Sequence, residues 1–172
     1  VAAPFADGNP NSLSKYDSGE CYLVFGKADW SSNSSMSFSS LNGTNGVIFY
    51  GIDLQDNAGD CVSGAGDVNN DGFADLLIGA PLADGAGNAS ANAGETYLIF
   101  GKSDWSTTPT VNLSSLNGTN GVTFYGIDAN DKSGQSVHGM GDVNDDGFSD
   151  FIVGAAGEAY LVFGKSNWSS TP

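Results

Sequence analysis

The sequence predicts an all-β fold built from a repeated four-stranded unit, and three observations carry that prediction. The 172-residue chain holds 25 glycines and 5 prolines and shows no long apolar run of helical period, which favours short strands joined by turns. Phe25-Gly26-Lys27 returns as Phe100-Gly101-Lys102 and as Phe163-Gly164-Lys165, at offsets of 75 and 63 residues. A repeat of that size signals a propeller or another stacked array.

The repeat extends well beyond the tripeptide. Leu41-Asn-Gly-Thr-Asn-Gly-Val47 matches Leu116-Asn-Gly-Thr-Asn-Gly-Val122, and Phe49-Tyr-Gly-Ile-Asp53 matches Phe124-Tyr-Gly-Ile-Asp128. The shorter second offset is a loop deletion: the stretch between Gly79 and Gly94 shrinks to that between Gly154 and Gly157. Within one unit the strands are expected at Ala58 to Gly66, Phe73 to Ala80, Glu95 to Phe100 and Val122 to Ile127. Each is apolar in alternation or in a brief run and is bounded by Gly, Asn or Asp.

Four antiparallel strands per unit make the blade of a β-propeller. Val1-Ala2-Ala3-Pro4 aligns with Ile78-Gly79-Ala80-Pro81, so the first unit starts inside its second strand. The predicted organisation is a partial blade over 1–57 (end of the second strand, third and fourth strands), a complete blade over 58–128 and a partial blade over 129–172. Closed propellers take about four to eight blades, so the expectation is a piece of a longer protein, or copies that complete each other through open strand edges.

One segment inside the unit carries chemistry. Asp67-Val-Asn69-Asn-Asp71-Gly72-Phe73-Ala-Asp75 recurs as Asp142-Val-Asn144-Asp-Asp146-Gly147-Phe148-Ser-Asp150. Side-chain oxygens fall at positions 1, 3, 5 and 9, position 7 (Phe73, Phe148) offers its backbone carbonyl, and a glycine at position 6 permits a sharp turn. Calcium takes about six to eight such oxygens, and the absence of N or S donors disfavours zinc and copper. Position 12 is Ile78 in one loop and Val153 in the other, where an EF-hand carries Glu. Apolar runs follow instead, Leu76 to Ile78 and Phe151 to Val153, which places the loop in a β-hairpin.

These motifs resemble the FG-GAP repeats of integrin α-subunit propellers and of many surface proteins. Gly66 to Asp75 and Gly141 to Asp150 match that family's Gly-Asp-x-Asn-x-Asp-Gly-x-x-Asp hairpin loop. The Gly-Ala-Pro element appears as Gly79-Ala80-Pro81, as Ala2-Ala3-Pro4, and without its proline as Gly154-Ala155-Ala156. Where the family has Phe-Gly before the first strand, this chain has Ala58-Gly59 and Ser133-Gly134. The resemblance implies two Ca2+ sites, with Asp67, Asn69, Asp71, Phe73 and Asp75 in one and Asp142, Asn144, Asp146, Phe148 and Asp150 in the other. It also implies a non-catalytic, calcium-stabilised module for adhesion or surface assembly, extracellular or at the cell surface, with a protein partner or further copies of itself, and glycans as a further class. The alternatives are an accessory propeller of a secreted hydrolase or lyase, or a self-assembling fibre subunit.

Charge narrows the partners. Five basic against 20 acidic residues give a net charge of -15, which disfavours nucleic acid and anionic membranes. Two calcium ions would bring this to about -11. The sequence has no apolar stretch long enough to span a bilayer and no basic, then apolar start, so a soluble chain with any export signal already removed is expected.

The remaining candidates read as structural. His138 is the single histidine and has no triad partners in adjacent motifs; no serine sits in a supported nucleophile elbow. Asp53 with Asp56, and Asp128 with Asp131, read as solvated turns, a second cation being the alternative. Trp30, Trp105 and Trp168 follow Phe-Gly-Lys at constant spacing and read as blade-to-blade packing before carbohydrate stacking. Tyr22, Tyr97 and Tyr160, with Phe73 and Phe148, read as blade core. Cys21 and Cys61 permit one disulfide, which spacing alone leaves open. Six Asn-x-Ser/Thr sequons occur, at Asn33, Asn42, Asn88, Asn112, Asn117 and Asn167, with Asn42 and Asn117 at equivalent repeat positions.

Overall fold

A computed structural model describes residues 1–7, 16–31 and 35–169; Asn33, the acceptor of the first sequon, lies outside the described residues. The strands run β1 (Ala2–Ala3), β2 (Glu20–Val24), β3 (Gly46–Tyr50), β4 (Cys61–Gly66), β5 (Asp75–Ala80), β6 (Glu95–Ile99), β7 (Thr110–Asn112), β8 (Gly121–Tyr125), β9 (Ser136–Gly141), β10 (Asp150–Ala155) and β11 (Glu158–Val162). The only helical pieces among the described residues are short 3₁₀ turns. The chain is all-β, as its glycine-rich, alternating sequence predicts.

The strands form three sheets, ordered β1-β2-β3-β7, β4-β5-β6-β8 and β9-β10-β11. Within the central sheet every pairing is antiparallel, with Leu77 opposite Leu98 and Tyr97 opposite Thr123. This is the four-stranded propeller blade, and its neighbours are incomplete versions of it. The fourth strand covers Gly121–Tyr125, where Val122 to Ile127 is the sequence expectation; Ile127 is instead exposed beyond the strand.

β7 is not anticipated by the repeat. Thr110, Val111 and Asn112 leave the central unit and add in parallel to the outer strand of the first sheet, opposite Ile48, Phe49 and Tyr50. This strap carries Leu113 into the seam between the sheets, where it is 1% exposed.

The sheets pack face to face over two cores. Cys21, Val47 and Phe49 of the first sheet meet Ile78, Ala80, Tyr97 and Ile99 of the second. Ala65, Leu77, Leu98 and Phe100 on the opposite face of the second sheet meet Phe151 and Val153 of the third. Full burial of a Leu, Ile or Phe side chain contributes about 1.5–3 kcal/mol, so alternation within each strand supplies both interfaces of the central blade. The sheets approach so closely that a Cβ at Gly79 would lie 1.9 Å from the carbonyl oxygen of Gly134. Only a hydrogen fits there.

Both cysteines are free thiols. Cys21 is buried in the first core, which pushes its thiol up to about 12. Cys61 packs against the second core, where its sulfur accepts the Val137 N–H at 3.4 Å.

Candidate metal-binding loops

Each acidic loop is the hairpin between the first two strands of its sheet: β4 to β5 in the second and β9 to β10 in the third. Gly72 and Gly147 both sit at φ 90°, and Asn70 and Asp145 at 58° and 62°, so two left-handed residues turn the chain sharply. The turn folds the side chains inward. Asp67 accepts the N–H of Asp71 at 3.0 Å and of Gly72 at 2.8 Å, and Asp71 accepts the N–H of Phe73 at 2.9 Å. Asn69 accepts from Asp71 N–H at 3.1 Å and donates its amide to the Asp71 carboxylate at 2.9 Å.

The second loop repeats these bonds. Asp142 accepts from Asp146 and Gly147 at 3.1 and 2.8 Å, Asp146 accepts from Phe148 at 3.0 Å, and Asn144 donates to Asp146 at 2.8 Å. The Gly147 N–H leads in holding the exposed Asp142 carboxyl below its ordinary value.

Position 9 behaves differently from the rest. Asp75 and Asp150 are buried, at 3% and 0% exposure. Asp75 accepts the Val68 N–H at 2.8 Å and the Gly101 N–H at 2.8 Å. Asp150 does the same with Val143 at 2.8 Å and Gly164 at 2.9 Å. Burial pushes the Asp75 carboxyl up to about 6, opposed by those two N–H groups and reinforced by repulsion from Asp71 and Asp67. Gly101 and Gly164 belong to the Phe-Gly-Lys repeats, and sequence reasoning missed their part in the loop. Their fixed recurrence with each acidic loop is the signal that pairs them.

The donor set fits a hard cation: carboxylate, amide and carbonyl oxygens only, each carboxylate carrying about four lone-pair sites of which two N–H bonds occupy part. Among the described residues, no three His, Cys, Asp or Glu groups converge closely enough to hold an ion. The loops are closed by their own hydrogen bonds.

Other sequence candidates fall into place around the loops. Phe73 is 40% exposed at the hairpin tip, which corrects its reading as blade core. Phe148 is half-buried, and the two loops are joined by the Ser149 N–H donating to the Asp67 carbonyl at 2.9 Å. Tyr97 is fully buried, with its hydroxyl donating to Glu95 at 2.6 Å, and Tyr22 and Tyr160 are half-buried. Asp56 and Asp131 accept the N–H of Asp53 and Asp128 at 3.3 and 2.9 Å, closing turns. His138 is exposed on β9.

Trp105 and Trp168 pack between blades, whereas Trp30 is 43% exposed. Trp105 meets Phe49 edge-on at 6.1 Å, and Trp168 meets Phe100 at 6.3 Å and Phe124 at 5.9 Å. Each carries its repeat lysine over the ring, Lys27, Lys102 and Lys165 standing 4.4, 4.4 and 4.8 Å from the centroids of Trp30, Trp105 and Trp168. Cavities of about 450 and 330 Å³ open beside Lys102 and Lys27 at equivalent positions of adjacent sheets.

A sheet of four antiparallel strands and a neighbouring sheet of three, each with an acidic loop in its first hairpin, are the blades of a β-propeller repeat. Residues 62–99, within the central blade, match the family model of the FG-GAP repeat. The chain is similar to human integrin alpha-11, 29% identical over 108 residues, and to human integrin alpha-10, 32% identical over 107 residues; each match covers 62% of this chain and 8% of the relative. It is also similar to integrin alpha-5 of Xenopus laevis, 35% identical over 99 residues, or 55% of this chain and 8% of the relative. The matched region is thus a small part of each relative's length.

Proposed function

We propose that the chain is a calcium-stabilised, non-catalytic segment of an extracellular propeller that serves adhesion or surface assembly. The observation that carries this reading is the pair of all-oxygen hairpin loops, each built into a blade of the type found in integrin α relatives. In each loop the ligands are three Asp carboxylates, one Asn and the carbonyl at position 7: Asp67, Asn69, Asp71, Phe73 and Asp75, then Asp142, Asn144, Asp146, Phe148 and Asp150.

Three carboxylates drawn into one hairpin repel one another, and a bound cation removes that repulsion. Binding to the folded hairpin alone then stabilises the blade by mass action. The ion acts as a structural pin. Protein partners fit the integrin-like reading, and no helix among the described residues is long and apolar enough to cross a membrane.

Isothermal calorimetry with calcium, paired with thermal melts with and without EDTA, tests the proposal. Two ions per chain and a lower melting temperature in EDTA are expected. No binding heat together with an unchanged melt would sink it.

A further inference from the structure

The segment between β6 and β8, which includes the β7 strap, folds around a cavity of about 450 Å³. Ile99, Trp105 and Val111 give it an apolar wall, and hydroxyl and amide side chains supply most of the remaining lining. A second cavity, of about 330 Å³, occupies the same place in the segment between β2 and β3. At the 75-residue repeat offset, Lys27, Trp30, Thr44 and Asn45 stand where Lys102, Trp105, Thr119 and Asn120 stand. Both cavities lie within the folded interior of the repeat pattern. The central one belongs to the blade that has a sheet packed on either face, and the first-sheet one stays open although β7 is already paired to β3 beside it.

Internal bonds fix the polar lining and leave part of it uncommitted. Asn112 Oδ1 accepts the N–H and the hydroxyl of Ser114 at 3.3 and 2.9 Å, so the Asn112 amide N–H groups are left over. Thr108 accepts from the Lys102 ammonium at 2.6 Å and keeps its own hydroxyl hydrogen. Thr119 donates its hydroxyl to Asn117 at 2.7 Å and keeps its lone pairs. The cavity thus offers donors and acceptors in fixed places beside an apolar wall, at a volume typical of small-molecule sites. Charge narrows the ligand further. Lys102 is the one cation in the lining, is engaged by Thr108 and stands 4.4 Å from the Trp105 ring centroid, while Asp71 adds a carboxylate and the chain carries a net charge of -15. An anion would meet net repulsion there. A wholly apolar ligand would strip water from the uncommitted donors without replacing their bonds.

We propose that the central cavity binds a neutral pyranose, the terminal sugar of a glycan, and that the first-sheet cavity is a second site of the same kind. The C–H groups of the sugar ring pack on Trp105 and Val111, and its hydroxyls exchange hydrogen bonds with Thr108, Asn112 and Thr119. Trp105 serves as a wall and not as a free stacking platform, because Lys102 covers its ring and Phe49 meets it edge-on at 6.1 Å. The internal bonds of the lining hold these groups in position before any ligand arrives, which lowers the cost of binding. The site gives the adhesion reading a ligand class and rests on the cavity alone. It needs no bound calcium, although Asp71 of the first acidic loop is part of its lining.

The test is a two-dimensional NMR titration of the ¹⁵N-labelled 172-residue chain with the methyl glycosides of galactose, mannose and N-acetylglucosamine, and with sialic acid and glucuronate as anionic controls. At least one neutral glycoside should shift the amides of Gly101, Asn112 and Thr119, and those of Gly26 and Thr44, saturably and with Kd below about 10 mM. The anions should bind at least about tenfold more weakly. Thr110 is an exposed lining residue, and Thr110→Trp fills the central cavity. That variant should lose the shifts at Gly101 and Thr119 and keep those at Gly26 and Thr44. Asn112→Asp keeps the acceptor for Ser114 and removes the amide donors, so central binding should weaken by about fivefold or more. Circular dichroism and melts check that both variants fold, and Asn112→Asp carries the test if the bulkier Trp does not. No saturable shift with any neutral glycoside, an anion that binds as tightly, or central shifts unchanged in the variants overturns the proposal. Calcium calorimetry on the sugar-free chain reports separately on the metal-pinned reading, so either can fail without the other.

Discussion

Asp75 accepts a hydrogen bond from the backbone N–H of Gly101, 26 residues further along the chain, at 2.8 Å. Asp150 makes the same bond to Gly164 at 2.9 Å across a separation of 14 residues. Since each carboxylate also accepts an N–H at the start of its own loop, the last loop position ties the hairpin to the end of the third strand. The loop and the Phe-Gly-Lys repeat are one device.

That tie gives Asp75 a role that does not need metal. Asp75→Ala leaves two buried N–H groups without acceptors and is expected to cost about 2–5 kcal/mol, with the loss persisting in EDTA. Asp75→Asn keeps one acceptor oxygen and should cost less. Urea unfolding measures both; equal midpoints for wild type and Asp75→Ala in EDTA would show that the tie contributes nothing.

On the proposed calcium reading, Asp71 and Asp146 serve the cation more than the fold. Asn at either position keeps an oxygen for the N–H of Phe73 or Phe148 while removing a charge. Asp71→Asn and Asp146→Asn are each expected to weaken calcium at their own loop by about tenfold or more, with stability in EDTA within about 0.5 kcal/mol of wild type. Calorimetry should then report one normal and one weakened site in each variant.

Glu95 makes stability depend on pH. Burial pushes its carboxyl up to about 7, with the Tyr97 hydroxyl opposing the shift and Asp56, Asp53 and Asp84 adding repulsion. A raised folded value means that the folded state holds a proton the unfolded chain releases. The contribution of this group is therefore full below about pH 4.5 and is lost as pH rises through about 7. Glu95→Gln should flatten that part of the stability curve by about 1–2 kcal/mol. Chemical unfolding in EDTA between those two pH values measures it; an unchanged slope would count against a buried, proton-holding Glu95.

The tryptophans should differ in cost according to what they cover. Trp105 fills the seam against Phe49, whereas Trp30 is 43% exposed. Trp105→Ala is expected to cost about 3 kcal/mol and Trp30→Ala less than about 1 kcal/mol. Equal losses in urea unfolding would mean that the repeat position alone sets the cost.

Much of the architecture is legible because side-chain alternation and turn chemistry are local. The strands Glu95–Ile99 and Asp75–Ala80 lie where alternating apolar residues and flanking glycines put them, and the hairpins follow from Asp-Gly turns at Gly72 and Gly147. β7 was not legible. Thr110-Val111-Asn112 is a short triplet with a single apolar residue, and its strand character depends on the edge that β3 offers it. Phe73 is exposed for a related reason: spacing within the loop does not fix what packs over position 7.

The sequence by itself determined the repeat, the four-stranded unit and the all-oxygen donor set of each loop, because these depend on residue identity at fixed local spacing. Tertiary structure alone decided that Asp75 and Asp150 accept the N–H groups of Gly101 and Gly164, that Cys21 and Cys61 are free thiols against separate cores, and that Phe73 is exposed. Those outcomes depend on which sheet lies against which, and spacing along one strand carries no information about the neighbour that buries it.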